Sequence, residues 1–580
     1  MGRSLCNVAT YQPTVNVRRW ADQTEWVLDR GITGMNEKRI LTMAVGAAST
    51  ALLLPAQGAM YLNHQGTGET LIFPFYSTES GNATLINLAN ATLDYKAVKV
   101  RVLEAQNSQE VLDFNLYLSP EDHFSFAISA TDEGGGQLVT RDNSCTVPAI
   151  PADGVAFRNS KYADDKQETD PADAADFDNT GIGRTQTGYL EIIEMGQLDP
   201  DSAPIIDTVG LAGPAMTAIN AAAAVTHGVD GEPANCNILV DAWSRADGVD
   251  GVWLAESRTT DLTGDAEFLP EWSGGGLYGY ATLINVPEGT AVGYDAIAIA
   301  DHVAADASGS DMHYKPGDIR PNFGDSALDT AAIVSVNGAA ITVEFLGDYP
   351  SEATQRVQAL NATMMASEIY NDYVTDPDIG AETDWLLTFP TRAFHINGTE
   401  PIEPFSQLWT GKSACEPSAL SALDREESTA TTLPDEEEPD FSPAPPTPPG
   451  PGPKNSDVPL CYESTLVQFG TESATSTSTI TVGVNAFLDA SNGWATLSLV
   501  PEALDSTLGQ CDIDGDLTTD AALKDPCDRS INAGDAQLFG LPVVGFAIQK
   551  YVNGGPGANY SMAAEHKSCV AGSGTTTNQC

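Results

Sequence analysis

The chain has 580 residues, of which 80 are Asp or Glu and 27 are Lys or Arg, for a net charge of −53 at pH 7. That charge repels polyanions and so excludes nucleic acid and anionic membranes as partners. Hydrophobic residues make up 42% of the chain, enough to build a large core and to exclude wholesale disorder.

Residues 1–34 read poorly as folded protein and are expected to be a non-native upstream extension. At Met35 the pattern changes: a charged Asn36-Glu37-Lys38-Arg39 segment precedes an apolar run from Ile40 to Leu54. Ala56-Gln57-Gly58 then places small residues at −3 and −1 of a signal-peptidase cut before Ala59. Residues 35–58 are therefore expected to be a Sec-type signal peptide, because the apolar run has 15 residues where a membrane span needs about 20. No later segment reads as a span. The expected locations are periplasmic, cell-surface or extracellular.

Without Cys6 the count of cysteines is even, which in an oxidising compartment reads as disulfides. The candidates are Cys145, Cys236, Cys415, Cys461, Cys511, Cys527, Cys569 and Cys580, and their order invites sequential pairing. Removing the six Lys/Arg and four Asp/Glu of residues 1–58 leaves −55 on residues 59–580. Such a charge predicts high solubility and loose binding of counter-cations.

From Leu71 onward the pattern has period two: Val98, Val100 and Val102 alternate with Lys99 and Arg101, and Leu112, Phe114 and Leu116 with Asp113 and Asn115. This predicts antiparallel strands with one buried face. Tyr189–Met195, Cys236–Trp243, Tyr278–Val286, Ala331–Phe345, Trp385–Phe389 and the region after Cys461 extend the series. The fold class expected is mainly β: an antiparallel sandwich or sandwiches with long acidic loops and one or two peripheral helices. The helices are placed at Gly213–Val225, which is rich in alanine, and at Ser351–Tyr373, where Val357, Leu360, Met364 and Ile369 share a face. Residues 152–186, dense in Asp, Ala and Gly, read as a long surface loop. The run from Pro434 to Pro459 is acidic and then proline-rich, which makes it a stiff extended linker between domains or a long loop within one. The expected organisation is thus a large β-rich region over 59–433, the linker or loop over 434–459, and a disulfide-stapled β-rich region over 460–580.

Several stretches, on both sides of the proline-rich run, resemble segments of a poorly characterised family of exported, cell-surface-type β-rich proteins of Gram-negative bacteria. They are Leu71–Tyr76, Lys96–Glu104 with Glu110–Pro120, Gly188–Gly196, Trp385–Thr391 and Gly540–Phe546. The resemblance implies surface localisation and brings no catalytic residue.

Catalytic signatures are scarce. Neither Gly-x-Ser-x-Gly nor His-Glu-x-x-His occurs, the histidines are scattered singly, and the Cys-x-x-Cys-His needed for a covalent haem is missing. Gly411-Lys412-Ser413 lacks the leading glycine of a phosphate loop, since Ser406 stands there, and Gly274-Gly275-Gly276 precedes a strand and reads as a turn. Trp243, Trp253, Trp272, Trp385, Trp409 and Trp494 read as core rather than as a sugar platform. The metal-like constellation is Asp512, Asp514 and Asp516 with Asp520, whose carboxylates suit Ca²⁺, although Leu517 and Leu523 stand where the usual loop has its turning glycine and bidentate glutamate. Asp247 and Asp250 form a weaker candidate; a solvated turn is the alternative reading of both. No cofactor is expected beyond that possible Ca²⁺. The functional reading is a non-catalytic exported surface or matrix-type structural or interaction protein. A secreted polysaccharide-active hydrolase and a calcium-dependent adhesin or carbohydrate-binding protein are the alternatives, with a surface component or a glycan as partner.

Overall fold

Period-two alternation produces two stacked sandwiches in the computed structural model. It describes residues 58–572 except 163–179, 209–217, 247, 257–273, 305–306, 308, 337, 348, 425–455, 489, 501–528, 534–535 and 554–558. The first sandwich uses strands β1 (Tyr61–Leu62), β2 (Thr70–Ser77), β3 (Asn82–Asn90), β4 (Lys96–Glu104), β5 (Glu110–Leu118), β6 (His123–Ala130), β7 (Gly136–Val139), β8 (Cys145–Val147), β9 (Val155–Ala156), β10 (Thr187–Gln197), β11 (Leu277–Asn285), β12 (Thr290–Asp295) and β13 (Ile297–Ala300). Seven form one antiparallel sheet in the order β1-β13-β2-β10-β4-β5-β8, and six form the other in the order β12-β11-β3-β6-β7-β9. Leu71, Phe73, Val98, Val100, Phe114 and Leu190 of the first meet Ile86, Leu88, Phe124, Phe126 and Leu283 of the second in one buried core.

The seven-stranded sheet is buried on its other face as well, where one buried face was expected. Ile72, Ala97, Tyr117, Tyr189, Ile193 and Met195 pack there beneath helices α1 (Ala221–Val225), α2 (Asn237–Trp243), α3 (Val252–Glu256), α4 (Gly309–Met312) and α5 (Glu352–Met364), together with the hairpin β14 (Ala331–Val336) and β15 (Ala339–Glu344). The helices thus cover a sheet and are not peripheral additions. Lys96 and Lys99, on strand β4, are 0% exposed and Arg101 is 7% exposed. Each is neutralised by an acid: Lys96 by Glu194 at 2.8 Å, Lys99 by Asp113 at 2.5 Å, and Arg101 by Glu110 at 2.9 Å and by Glu191.

Four local expectations are refined or corrected by helix and strand chemistry. Cys236–Trp243, expected as a strand, forms α2, because Ile238, Leu239, Ala242 and Trp243 lie on one helical face and bury there. The helix expected to reach Tyr373 ends at Met364, capped at its start by Ser351, whose side chain accepts from Thr354 N. The aromatic and β-branched residues that follow, including Ile369, Tyr370, Tyr373 and Val374, form a strand instead. Ala331–Phe345 is a hairpin turned at Gly338, which has φ of 78°. Of Gly213–Val225, residues 218–219 are a strand and Ala221–Val225 a short helix capped by Asn220.

The second sandwich comprises β16 (Glu368–Val374), β17 (Ala381–Thr388), β18 (Glu416–Asp424), β19 (Ser456–Leu460), β20 (Ser464–Gln468), β21 (Thr481–Gly483), β22 (Asn492–Ser498), β23 (Phe546–Tyr551), β24 (Tyr560–Glu565) and β25 (Lys567–Cys569). Its sheets run β19-β18-β22-β16-β25 and β21-β20-β17-β23-β24, with β20 and β21 parallel. Ile369, Tyr373, Trp385, Leu387, Leu420, Val467 and Leu497 form the core between them. The proline-rich run connects β18 to β19, which are antiparallel neighbours in one sheet with Glu416 opposite Leu460. Strands from before and after it interleave throughout this sandwich, as where β17 lies between β20 and β23.

The sandwiches are joined by packing and by hydrogen bonds. Leu386, Leu466, Phe546 and Ile548 enter the core of the first sandwich, and Tyr294 of β12 stacks on Phe546 with ring centroids 4.6 Å apart. Ser464 N donates to Ala105 O at 2.9 Å and Thr388 Oγ1 to Pro74 O at 2.7 Å. A Ser/Thr-rich loop after β20 clasps the first sandwich: Ser478 N donates to Glu79 Oε2 at 2.9 Å, and Thr475 O accepts from Asn82 Nδ2 at 2.7 Å.

Candidate functional site: an open sheet face beside buried charges

The two sheets of the first sandwich differ in what covers them. The seven-stranded sheet is packed on both sides, whereas the outward face of the six-stranded sheet is open. On that face Tyr278, Tyr280 and Leu85 are 41%, 44% and 40% exposed. Strand register sets the neighbours: Tyr280 faces Asn87, which faces Ser125, and the next row runs Thr282, Leu85, Ala127, Val139. Small side chains keep the floor low. A groove of about 550 Å³ crosses this floor from Leu85 and Asn87 over Ser125 and Ala127 to Val139 and Arg141. The face is neutral in character: its outward positions on β3, β6, β7, β11 and β12 hold one carboxylate, Asp295, at the edge strand.

The most strongly displaced carboxyls lie elsewhere, inside the molecule, while burial raises the half-buried Asp301, Asp329 and Glu382 to a lesser degree. Glu69 is pushed up to about 8 by burial, against the lowering effect of the Val303 and His302 amides that donate to it. Burial also raises Glu191 to about 7 and Asp384 to about 6, and holds Glu463 well above the ordinary carboxyl range. All four are under 9% exposed.

Glu463 belongs to a charge cluster at the junction of the sandwiches. Glu104 accepts from Arg184 Nε at 2.6 Å and Nη2 at 2.8 Å, and from the amides of Gln106, Asn107 and Gln109. Glu416 accepts from Arg529 Nη2 at 3.0 Å, from both the amide and the hydroxyl of Ser406, and from the Gln407 amide. Arg392 donates through Nη1 to Tyr462 O at 2.8 Å, while its Nε and Nη2 and both oxygens of Glu463 have no hydrogen-bond partner. The cluster therefore sets four guanidiniums, of Arg101, Arg184, Arg392 and Arg529, against five carboxyls, of Glu104, Glu110, Glu191, Glu416 and Glu463. Glu463 titrates high chiefly because it is buried, and the charges of Glu104 and Glu191 add to the shift.

The metal candidates Asp512, Asp514, Asp516 and Asp520 lie outside the described residues, as does Asp247; Asp250 is exposed. Among the described residues no three His, Cys, Asp or Glu side chains gather as metal ligands. Two disulfides are formed, Cys145–Cys236 and Cys415–Cys461. Cys569 is disulfide-bonded too, to a partner outside the described residues, where Cys511, Cys527 and Cys580 also fall.

The tryptophans divide. Trp243, Trp253 and Trp385 are buried, Trp253 stacking on Tyr117 at 5.5 Å, whereas Trp494 is 39% exposed and Trp409 intermediate. The first two sit on helices, not strands. Trp272 lies outside the described residues. His302 and His313 are driven down to about 3, and His395 and His566 to about 4, all by burial. The residues of the open face were missed in sequence because tyrosines at alternate positions of a strand read the same whether their face is covered or open. No protein-family model, no curated protein and no solved structure matches the chain.

Proposed function

We propose that this is an exported, non-catalytic surface or matrix-type protein that acts by binding through the open face of its six-stranded sheet. The observation that carries this reading is the contrast between the two kinds of site. The face that a partner can reach offers tyrosine, leucine, small residues and hydroxyls, and the carboxyls most strongly displaced in titration are sealed in the core. General acid–base chemistry requires the titrating group within hydrogen-bond reach of the substrate, which the buried set does not meet. Export is supported by the leader-like segment over 35–58 and by the disulfides, which an oxidising compartment maintains.

Two measurements test the reading. Fractionation of cells expressing the chain from Met35 is expected to place it outside the inner membrane with an N-terminus at or near Ala59. Incubation with a panel of polysaccharides is expected to release no new reducing ends. Steady turnover of any of them, lost on replacing a single carboxylate, would make the protein a hydrolase and defeat the proposal.

A further inference from the structure

We infer that the open sheet face binds an uncharged polysaccharide, with sugar rings lying on Tyr278 and Tyr280 and hydroxyls held by Asn87, Ser125 and Arg141. This rests on the reading of the face as the binding surface and adds the chemistry of its partner.

Three observations carry the inference. The first is geometric. Tyr278 and Tyr280 are alternate residues of one strand and so share a face, about 6.8 Å apart along it. Both rings are more than two-fifths exposed, although a tyrosine without a partner gains by burial. In register beside them stand Ala89 next to Tyr278, and Asn87 and Asp295 next to Tyr280, and the groove opens from Asn87 over Ser125 and Ala127, so a chain of sugar rings can run from the tyrosines into it.

The second observation concerns unspent hydrogen-bonding capacity. The Asn87 amide, the Ser125 hydroxyl, the Arg141 guanidinium and the two tyrosine hydroxyls have no hydrogen-bond partner among the described residues. Elsewhere on the same face polar groups are engaged: Gln137 donates to Ser129 Oγ at 3.3 Å, and the Thr140 hydroxyl to Ser125 O at 2.6 Å. The free groups form a line across the strands, since Tyr280, Asn87 and Ser125 are register neighbours and Arg141 lines the groove at its far side. Donors and acceptors alternating beside an aromatic platform are what a polyhydroxylated ligand requires, because each ring offers an apolar face and a rim of hydroxyls.

The third observation is charge. A chain at −53 repels sulfated or uronate-bearing polymers, and also a second copy of itself, and the site itself adds two carboxylates, Asp295 beside Tyr280 and Asp142, which accepts from Ser125 N at 3.0 Å. A neutral polysaccharide meets no such barrier.

The test is native affinity electrophoresis and calorimetry of the chain from Ala59, using a β-glucan, a mannan and a dextran as neutral probes and alginate as the acidic one. At least one neutral polymer is expected to retard the protein, to the same extent at low and high salt, and alginate is not. Tyr278→Ala and Tyr280→Ala are each expected to weaken that binding roughly tenfold or more while the protein stays folded, with a modest fall in melting temperature for the part of each residue that is buried. Asn87→Ala supplies a second, polar variant with a smaller loss. Failure of all three neutral polymers to bind, or unchanged binding by the Tyr278→Ala/Tyr280→Ala pair, overturns the inference. So does a dimer in sedimentation that Tyr280→Ala dissolves, because the face would then be an interface between copies. Binding accompanied by turnover would sink the non-catalytic reading and leave this inference standing; a surface protein that binds no glycan would do the reverse.

Discussion

Glu463 shows how a single buried carboxyl takes its state from its neighbours. Its oxygens have no hydrogen-bond partner, Arg392 beside it keeps two unpartnered nitrogens, and the nearby Glu104 and Glu191 disfavour a further negative charge. The Arg392 charge pulls the other way and does not outweigh burial. Because its folded-state titration is raised above the unfolded value, the folded protein holds a proton that the unfolded chain releases, and stability falls as pH rises from the ordinary carboxyl range upward. Glu463→Gln keeps the shape and removes that loss. The variant is expected to be more stable than the parent at pH 8 by about 1–3 kcal/mol, the cost of an unsatisfied buried polar group, and equal to it at pH 4. Chemical denaturation at the two pH values checks this, and a destabilised variant at pH 8 would show that the carboxylate form is the one the cluster uses.

Among elements, the connection between β18 and β19 carries an instructive constraint. The two strands pair from Glu416 opposite Leu460 to Leu420 opposite Ser456, and Cys415–Cys461 ties the end of the pair that is remote from the proline-rich run. The disulfide closes a loop of 46 residues in sequence separation. Chain-entropy cost for a loop of that size corresponds to about 4 kcal/mol, so the Cys415→Ser/Cys461→Ser variant is expected to lose stability by that order. A midpoint shift in urea at constant slope measures it. Retention of full stability would mean that the sheet alone holds the strands in register. The hydroxyl-rich loop after β20 acts in the same way between sandwiches, where Lys550 and Ser476 both bond Glu288 of the first, at 3.1 and 2.6 Å.

The whole molecule carries two opposed sets of buried titrating groups. Glu69 and Glu191, raised to about 8 and about 7, bind protons that the unfolded chain has lost, so they reduce stability increasingly as pH rises through 7 to 8. The histidines His302, His313, His395 and His566 are depressed to about 3 or 4, so their contribution is full above the unfolded value of 6.5 and is lost as pH falls below it. Between pH 7 and pH 8.5 only the carboxyl set acts. The melting temperature is therefore expected to be higher at pH 7 than at pH 8.5, in high salt as well as low so that general charge repulsion is screened. A flat or rising profile would show that these carboxyls are ionised in the folded protein.

The sequence by itself determined the class of fold and the position of most strands, because alternation at period two is a local property that survives in any β arrangement. Tyr189–Met195 falls within a strand, and Tyr278–Val286 and Trp385–Phe389 do so except for their last residue. Only the tertiary structure decided what each face meets. Lys99 and Arg101 alternate with valines as solvent-facing residues would, yet they bury against Asp113, Glu110 and Glu191, since helices cover that side of the sheet. Tyr278 and Tyr280 show the converse, aromatic residues left open because nothing described packs over the second sheet. Burial of a face depends on what arrives from distant parts of the chain, and a pattern read along one strand holds no record of it.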